Sequence, residues 1–228
     1  MINKLKTFFR NHPLTCKLYK KLYRIKHFSE IKQKKRFIQL DGANTIIFIQ
    51  KILEANNISF FFDMGTLLGI IREGKLLKHD MDIDVAVYNA NGTVIESIKT
   101  VLIGNGCVHK HRYTTADIGI IEDSFVYKNI KFDICYYQQE NNSDICFLAY
   151  NPINSTAEQF CTVKLSCEHI ERIDKIIFNG YPINVPYSSE RYLSQRYGVN
   201  WKIPDTNYIY WKGPSAQKIS NITTKTTY

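Results

Sequence analysis

Phe61-Phe-Asp-Met-Gly-Thr-Leu-Leu-Gly-Ile-Ile-Arg-Glu-Gly-Lys-Leu-Leu-Lys-His-Asp-Met-Asp-Ile-Asp-Val-Ala-Val-Tyr88 is the stretch on which the fold turns. It reads as a short apolar strand, a Gly65-Thr66 turn, one or two helical turns, a basic loop and then a second strand. Asp80, Asp82 and Asp84 stand at every second position. Two is the side-chain period of a strand, so the three carboxylates share one side and Met81, Ile83 and Val85 take the other. Stacked like charges repel, and a divalent cation resolves the repulsion. Hard oxygen ligands at a strand end suit Mg²⁺ or Mn²⁺ together with substrate phosphate oxygens. The plainer alternative is a solvated strand end with surface aspartates. Gly65-Thr66, directly after a strand and at a helix start, offers backbone N–H groups and a hydroxyl to phosphate.

Outward from this block, 228 residues with 44% apolar and 13% aromatic content allow one domain with a sizeable core and an appendage. The six cysteines form no C-x-x-C pair and lie in apolar runs, which suits buried, reduced thiols. No apolar run reaches the roughly 20 residues of a membrane span, and no secretory signal is legible. A cytoplasmic protein is expected. The formal charge of +9 is unevenly spread: residues 1–36 hold nine Lys and three Arg against Glu30 alone, a surplus of +11, which leaves the rest near −2.

Residues 1–36 therefore read as a basic amphipathic helical arm, broken at Pro13, with Leu14, Leu18, Leu22 and Ile25 along one stripe. Such an arm can lie peripherally on an anionic membrane, or pack its stripe on its own domain. Nucleic acid is not expected, because no stacking motif accompanies the charge. Residues 37–205 read as the catalytic domain and 206–228 as a polar tail. A long helix from about Glu30 to Ala55, capped by Ser29, is expected to face inward with Phe37, Leu40, Ile47, Phe48 and Ile52. Further elements are a helix near Thr93–Ile103, short antiparallel strands at Cys107–Tyr113, Ile118–Glu122, Phe125–Tyr127 and Ile130–Tyr137, a hairpin turning at Asn179-Gly180, and a helix from Ser188 to Arg196 that stops at Gly198.

Asp133 lies mid-strand between Phe132 and Ile134, where a lone carboxylate is costly unless it is paired, with Lys131 for example, or binds metal. Beside the Asp82–Tyr88 strand it would complete a three-carboxylate cradle of the kind that serves phosphoryl and nucleotidyl transfer. A strand, a Gly-Thr helix entry and an Asp-x-Asp strand resemble the layout of the polymerase β-like nucleotidyltransferase fold, an α+β mixed sheet flanked by helices.

The finer pattern, from Asp63-Met-Gly-Thr-Leu-Leu-Gly-Ile-Ile-Arg-Glu-Gly74 through His79-Asp-Met-Asp-Ile-Asp-Val85, resembles the LicD family, which includes the fukutin-related transferases. Lys131-Phe-Asp-Ile-Cys135 is similar to the family's later acidic strand, and Val185–Leu193 with Arg196–Pro204 to its closing segment. Met81 stands where family members often carry another acid. The resemblance implies a cytoplasmic enzyme that moves a phospho-alcohol (choline, ribitol or glycerol phosphate) from a CDP-activated donor to a sugar hydroxyl of a surface glycan or lipid-linked glycan. It implies catalytic roles for Asp80, Asp82, Asp84 and Asp133, with Asp82, Asp84 and Asp133 holding Mg²⁺ or Mn²⁺ and Asp133 drawing the acceptor's proton. It further implies substrate contacts from Gly65, Thr66 and Arg72. Arg72 could instead face outward and pair with Glu73. His79 could donate to phosphate, act as a base or support a metal-binding acid. Tyr197, Trp201 and Pro204 read as core closure rather than stacking residues. The rival reading is a polymerase β-like nucleotidyltransferase that uses ATP or another nucleoside triphosphate on a protein or small molecule.

Overall fold

In a computed structural model, described over residues 27–151, 159–205 and 208–228, the chain builds ten strands and four helices around two main apolar clusters. In chain order they are α1 (Phe28–Ala55), β1 (Phe60–Phe62), α2 (Met64–Glu73), β2 (Asp82–Tyr88), α3 (Gly92–Gly104), β3 (Val108–Thr115), β4 (Gly119–Tyr127), β5 (Ile130–Glu140), β6 (Ser143–Tyr150), β7 (Gln159–Glu168), β8 (Ile173–Phe178), β9 (Tyr181–Pro186), α4 (Ser189–Tyr197) and β10 (Ala216–Thr227). A short 3₁₀ turn, Tyr210–Lys212, precedes β10.

The expected helix-flanked mixed sheet of polymerase β type is not the architecture. The strands run in the order β1-β2-β5-β4-β3-β10-β7-β6, and a further β5–β6 pairing closes six of them into an antiparallel barrel. Only β2 and β5 pair in parallel; β1 and β2 extend the sheet beyond the barrel. Closure removes the open edges that the barrel strands would otherwise leave. Helices α1 and α3 cover one face of β2 and β5, where Ile83, Val85, Val87, Phe132, Ile134 and Tyr136 meet Ile46, Ile49, Leu53, Ile98 and Leu102. On the other side, Leu67 and Leu68 of α2 and Tyr192 and Leu193 of α4 meet Ala86, Cys135 and Tyr137.

Several local expectations shift with this closure. Strands β6 and β7 are additional. The polar C-terminal stretch is not a tail but carries β10, which lies between β3 and β7. Thr223 is fully buried there and its hydroxyl meets that of Thr162 at 2.7 Å, so β-branched threonines do the work that apolar residues usually signal. The two short strands expected across 118–127 merge into β4. Helix α1 turns its buried stripe through Ile38, Thr45, Ile46, Ile49 and Leu53, while Leu40 is 68% exposed. Four consecutive apolar residues at 46–49 leave the period ambiguous. Ser29 lies inside α1, whose N-cap is His27, and residue 36 marks no boundary because α1 runs through it. The first 26 residues, which hold most of the basic arm, lie outside the described residues. Gly180 and Asn179 take the left-handed conformation that the β8–β9 hairpin turn requires. Cys107, Cys135, Cys146 and Cys167 are buried free thiols. No helix among the described residues is long and apolar enough to cross a membrane.

Candidate active site

Strand β1 delivers the chain into α2 through Asp63 and Met64, and Met64 takes a positive φ of 47° that a non-glycine residue rarely adopts. Tertiary bonds hold this turn. The Asp63 N–H donates to Asp84 O at 3.0 Å, and its buried carboxylate accepts from the hydroxyls of Tyr137 (2.5 Å) and Tyr192 (2.6 Å). Arg196 of α4, 2% exposed, brings Nη2 to 3.6 Å from the same carboxylate and donates to both tyrosine oxygens. Burial disfavours its charge, but Tyr137, Tyr192 and Asp63 together push its pKa well above the ordinary arginine value. The closing helix is thus locked onto the strand–helix turn that opens the site.

Helix α2 ends at Gly74 in the left-handed conformation, φ 65°. The basic loop then doubles back along the helix. A Cβ on Gly69 would lie 2.7 Å from Lys75 O and 3.0 Å from Leu77 N, so only glycine admits that backbone. At Gly65 a Cβ would meet the Asp80 carboxylate at 3.1–3.4 Å. Asp80 therefore stands in the loop before β2, against the start of α2, and not on the strand itself. We expect Gly69→Ala to destabilise the fold by about 1–3 kcal/mol, because backbone rather than a side-chain tip must move. Urea titration checks this; a variant as stable as the parent would mean that the loop does not depend on the close approach.

The parallel pairing of β2 with β5 sets Asp84 opposite Asp133 and Asp82 opposite Lys131. Asp80, Asp82, Asp84 and Asp133 all line one cavity of about 1180 Å³, together with Gly65, Arg72 and His79. Thr66 is brought nearby but not into the cavity. It is fully buried, and its hydroxyl accepts from the Asp84 N–H at 3.0 Å, so it fastens β2 to α2 instead of meeting phosphate. Arg72 faces inward. Its Nη1 donates to Trp201 O at 3.2 Å and its Nη2 pairs with Glu73 at 3.0 Å, while its buried Nε has no partner among the described residues. His79 is exposed, 3.7 Å from Asp80.

Negative charge at this site is only partly matched. Lys131 Nζ donates to Asp82 (3.1 Å) and Asp133 (2.5 Å), and Ser124 donates to the other Asp133 oxygen. Burial disfavours the lysine's charge, but Asp133, Asp82 and Glu122 hold its pKa well above the usual value. Burial, then Asp82 and Asp133, push Asp84 well above the carboxylate range; burial and Asp82 push Asp80 up to about 7. Asp80 Oδ2 is buried and without a partner among the described residues. As these side chains stand, no three His, Cys, Asp or Glu groups among the described residues are disposed around a metal position, and Lys131 bridges two of the acids. The donor set nevertheless fits a hard divalent cation: all oxygen, open to the cavity and short of positive charge.

The LicD/FKTN/FKRP nucleotidyltransferase-domain family matches residues 57–188, the span from the run into β1 through β9 to Ser188. The chain belongs to the LicD family. Membership supports a transferase activity of phosphotransferase type directed at glycans. No curated protein sequence matches this LicD chain. Among solved structures, the crystal structure of ANT(2")-Ia in complex with adenylyl-2"-tobramycin is similar at 11% identity and a TM-score of 0.39, over 73% of this chain and 82% of that one.

Sequence reasoning did not single out Asp63, Arg196, Glu122, Tyr113, Tyr208 or Tyr210. Tyr197 and Trp201, read as core closure, line the LicD cavity with Tyr208 and Tyr210. A signal for Glu122 existed: like Asp133 it is an acid inside an apolar strand, Gly119-Ile-Ile-Glu-Asp-Ser-Phe125. Asp123 carries the same signal but is accounted for by bonds from Arg112, His109 and Tyr136.

Proposed function

We propose that this LicD protein transfers a phospho-alcohol group from a CDP-activated donor to a sugar hydroxyl of a cell-surface glycan, with Mg²⁺ or Mn²⁺ held by Asp82, Asp84 and Asp133. One cavity that gathers four aspartates together with Arg72 supports this reading. Its volume of about 1180 Å³ suits a nucleotide-sized donor. When bound, the cation supplies the positive charge that a diphosphate and clustered carboxylates both lack. Arg72, in the same lining, sets its positive charge toward the phosphates. Tyr197 and Trp201 of the closing segment, with Tyr208 beyond it, form the wall against which the nucleotide base rests. The acceptor oxygen bonds to the donor's β-phosphorus, the bond to the α-phosphate oxygen breaks, and CMP leaves with that electron pair. The acceptor's proton passes to Asp133, whose oxygens each keep a second lone pair beyond the bonds from Ser124 and Lys131.

Parallel incubation with CDP-choline, CDP-glycerol, CDP-ribitol and ATP tests the reaction class. CMP release from a CDP-alcohol, dependent on Mg²⁺ or Mn²⁺ and abolished by chelator, is the expected result. Pyrophosphate release from ATP, with every CDP-alcohol untouched, would replace this reading with nucleotidyl transfer.

A further inference from the structure

The cavity continues past the aspartates to the barrel side, where Glu122 of β4, Tyr113 of β3, Tyr210, Leu148 and Ala149 line it. Glu122 is only 9% exposed, and its carboxyl makes no hydrogen bond or ion pair among the described residues. Its carboxyl oxygens are hydrogen-bonding groups that a hydroxyl-bearing ligand can meet. Tyr113 is its cross-strand neighbour, and the Tyr113 hydroxyl is likewise without a partner among the described residues. Two adjacent hydrogen-bonding groups that both line the cavity suit a ligand that supplies partners.

The rings at this end are not open in the same way. Lys225 Nζ lies over the Tyr113 ring at 5.7 Å, and Phe160 meets that ring edge-on at 5.6 Å. The Tyr210 ring is packed edge-to-face against Trp211 at 4.8 Å, and its hydroxyl donates to Ala149 O. The Lys131 ammonium stands among the same acids. A quaternary ammonium needs free aromatic faces and no competing cation. This pocket instead offers hydroxyl-scale hydrogen bonding beside two lysines.

We propose that Glu122 and Tyr113 form the subsite for the donor's alcohol, and that this alcohol is an uncharged polyol rather than a quaternary amine. The assignment rests on the CDP-donor reading above.

Isothermal titration of the full chain in Mg²⁺ with CMP, CDP-glycerol, CDP-ribitol and CDP-choline, before any acceptor is added, tests it. At least one polyol donor is expected to bind about tenfold more tightly than CDP-choline. Glu122→Ala and Tyr113→Phe should each weaken that donor by about tenfold and leave CMP within about twofold. Glu122→Gln, which keeps hydrogen-bonding capacity, should fall between. Thermal melts control for folding; removing an unpartnered buried carboxyl should not lower the melting temperature. CDP-choline binding as tightly as both polyol donors, or polyol affinity untouched by both variants while CMP still binds, overturns the subsite and leaves the donor reading standing. Unchanged donor binding with a rise in KM for a polyhydroxylated acceptor alone overturns the assignment to the donor. Binding of ATP, but of neither CMP nor any CDP-alcohol, overturns both.

Discussion

Asp84→Asn is expected to lower turnover by about a thousandfold or more while raising, not lowering, the melting temperature. Asp84 is half-buried among Asp82, Asp133, Asp80 and Asp63, and desolvation is the largest reason its carboxylate is disfavoured. Replacing it by a neutral isostere relieves repulsion in the resting protein and removes one of the oxygens assigned to the cation. Its backbone N–H bond to Thr66 and its place in the β2–β5 ladder survive the change. Stability and activity should therefore move in opposite directions, which separates a site residue from a framework one. Thermal melting and CMP release on the same preparation check it. A variant that melts lower would place Asp84 among the residues that hold the fold; full activity in Mg²⁺ would remove it from the site.

The second large effect lies in the framework. Arg196→Met should destabilise the protein by about 3–5 kcal/mol, since it strands the Asp63 carboxylate in the interior without its cation. Asp63 sits at the N-terminus of α2 and Arg196 on α4, so the pair ties the strand–helix turn of the site to the closing segment that supplies Trp201. Adding Asp63→Asn to Arg196→Met should recover part of that loss, because the uncompensated charge is then gone. Tyr137→Phe and Tyr192→Phe, each removing one hydroxyl from the network, should cost about 1 kcal/mol apiece. Denaturant titration of the four variants tests the ordering. Equal losses for Arg196→Met and Tyr192→Phe would mean that the buried charge contributes nothing beyond ordinary hydrogen bonding.

The site's core was legible because its signals are local. Alternating aspartates after a glycine-punctuated turn are anomalous within a few residues of one another, and a lone acid in an apolar strand is anomalous by itself. Such patterns point to Asp80, Asp82, Asp84 and Asp133 without any knowledge of which strands pair. Helices α3 and α4 and the Asn179-Gly180 turn were legible for the same reason, since punctuation and periodicity act over one or two turns, whereas α1 kept its extent but not its expected cap or inner face.

What the sequence by itself determined, then, is the acid cluster, its family and the local elements that carry it. Tertiary structure alone decided how far the sheet curls and what it encloses. Barrel closure depends on β10, written in threonines and lysines, returning between β3 and β7 across long sequence separations, and on β5 reaching β6. No local period encodes that pairing. The partners of charged groups were hidden for the same reason: Lys131 between Asp82 and Asp133, Thr66 on the Asp84 amide, Arg196 against Asp63. A buried charge announces that it needs a partner, but only the packed chain determines which residue meets it and which is left open to a ligand.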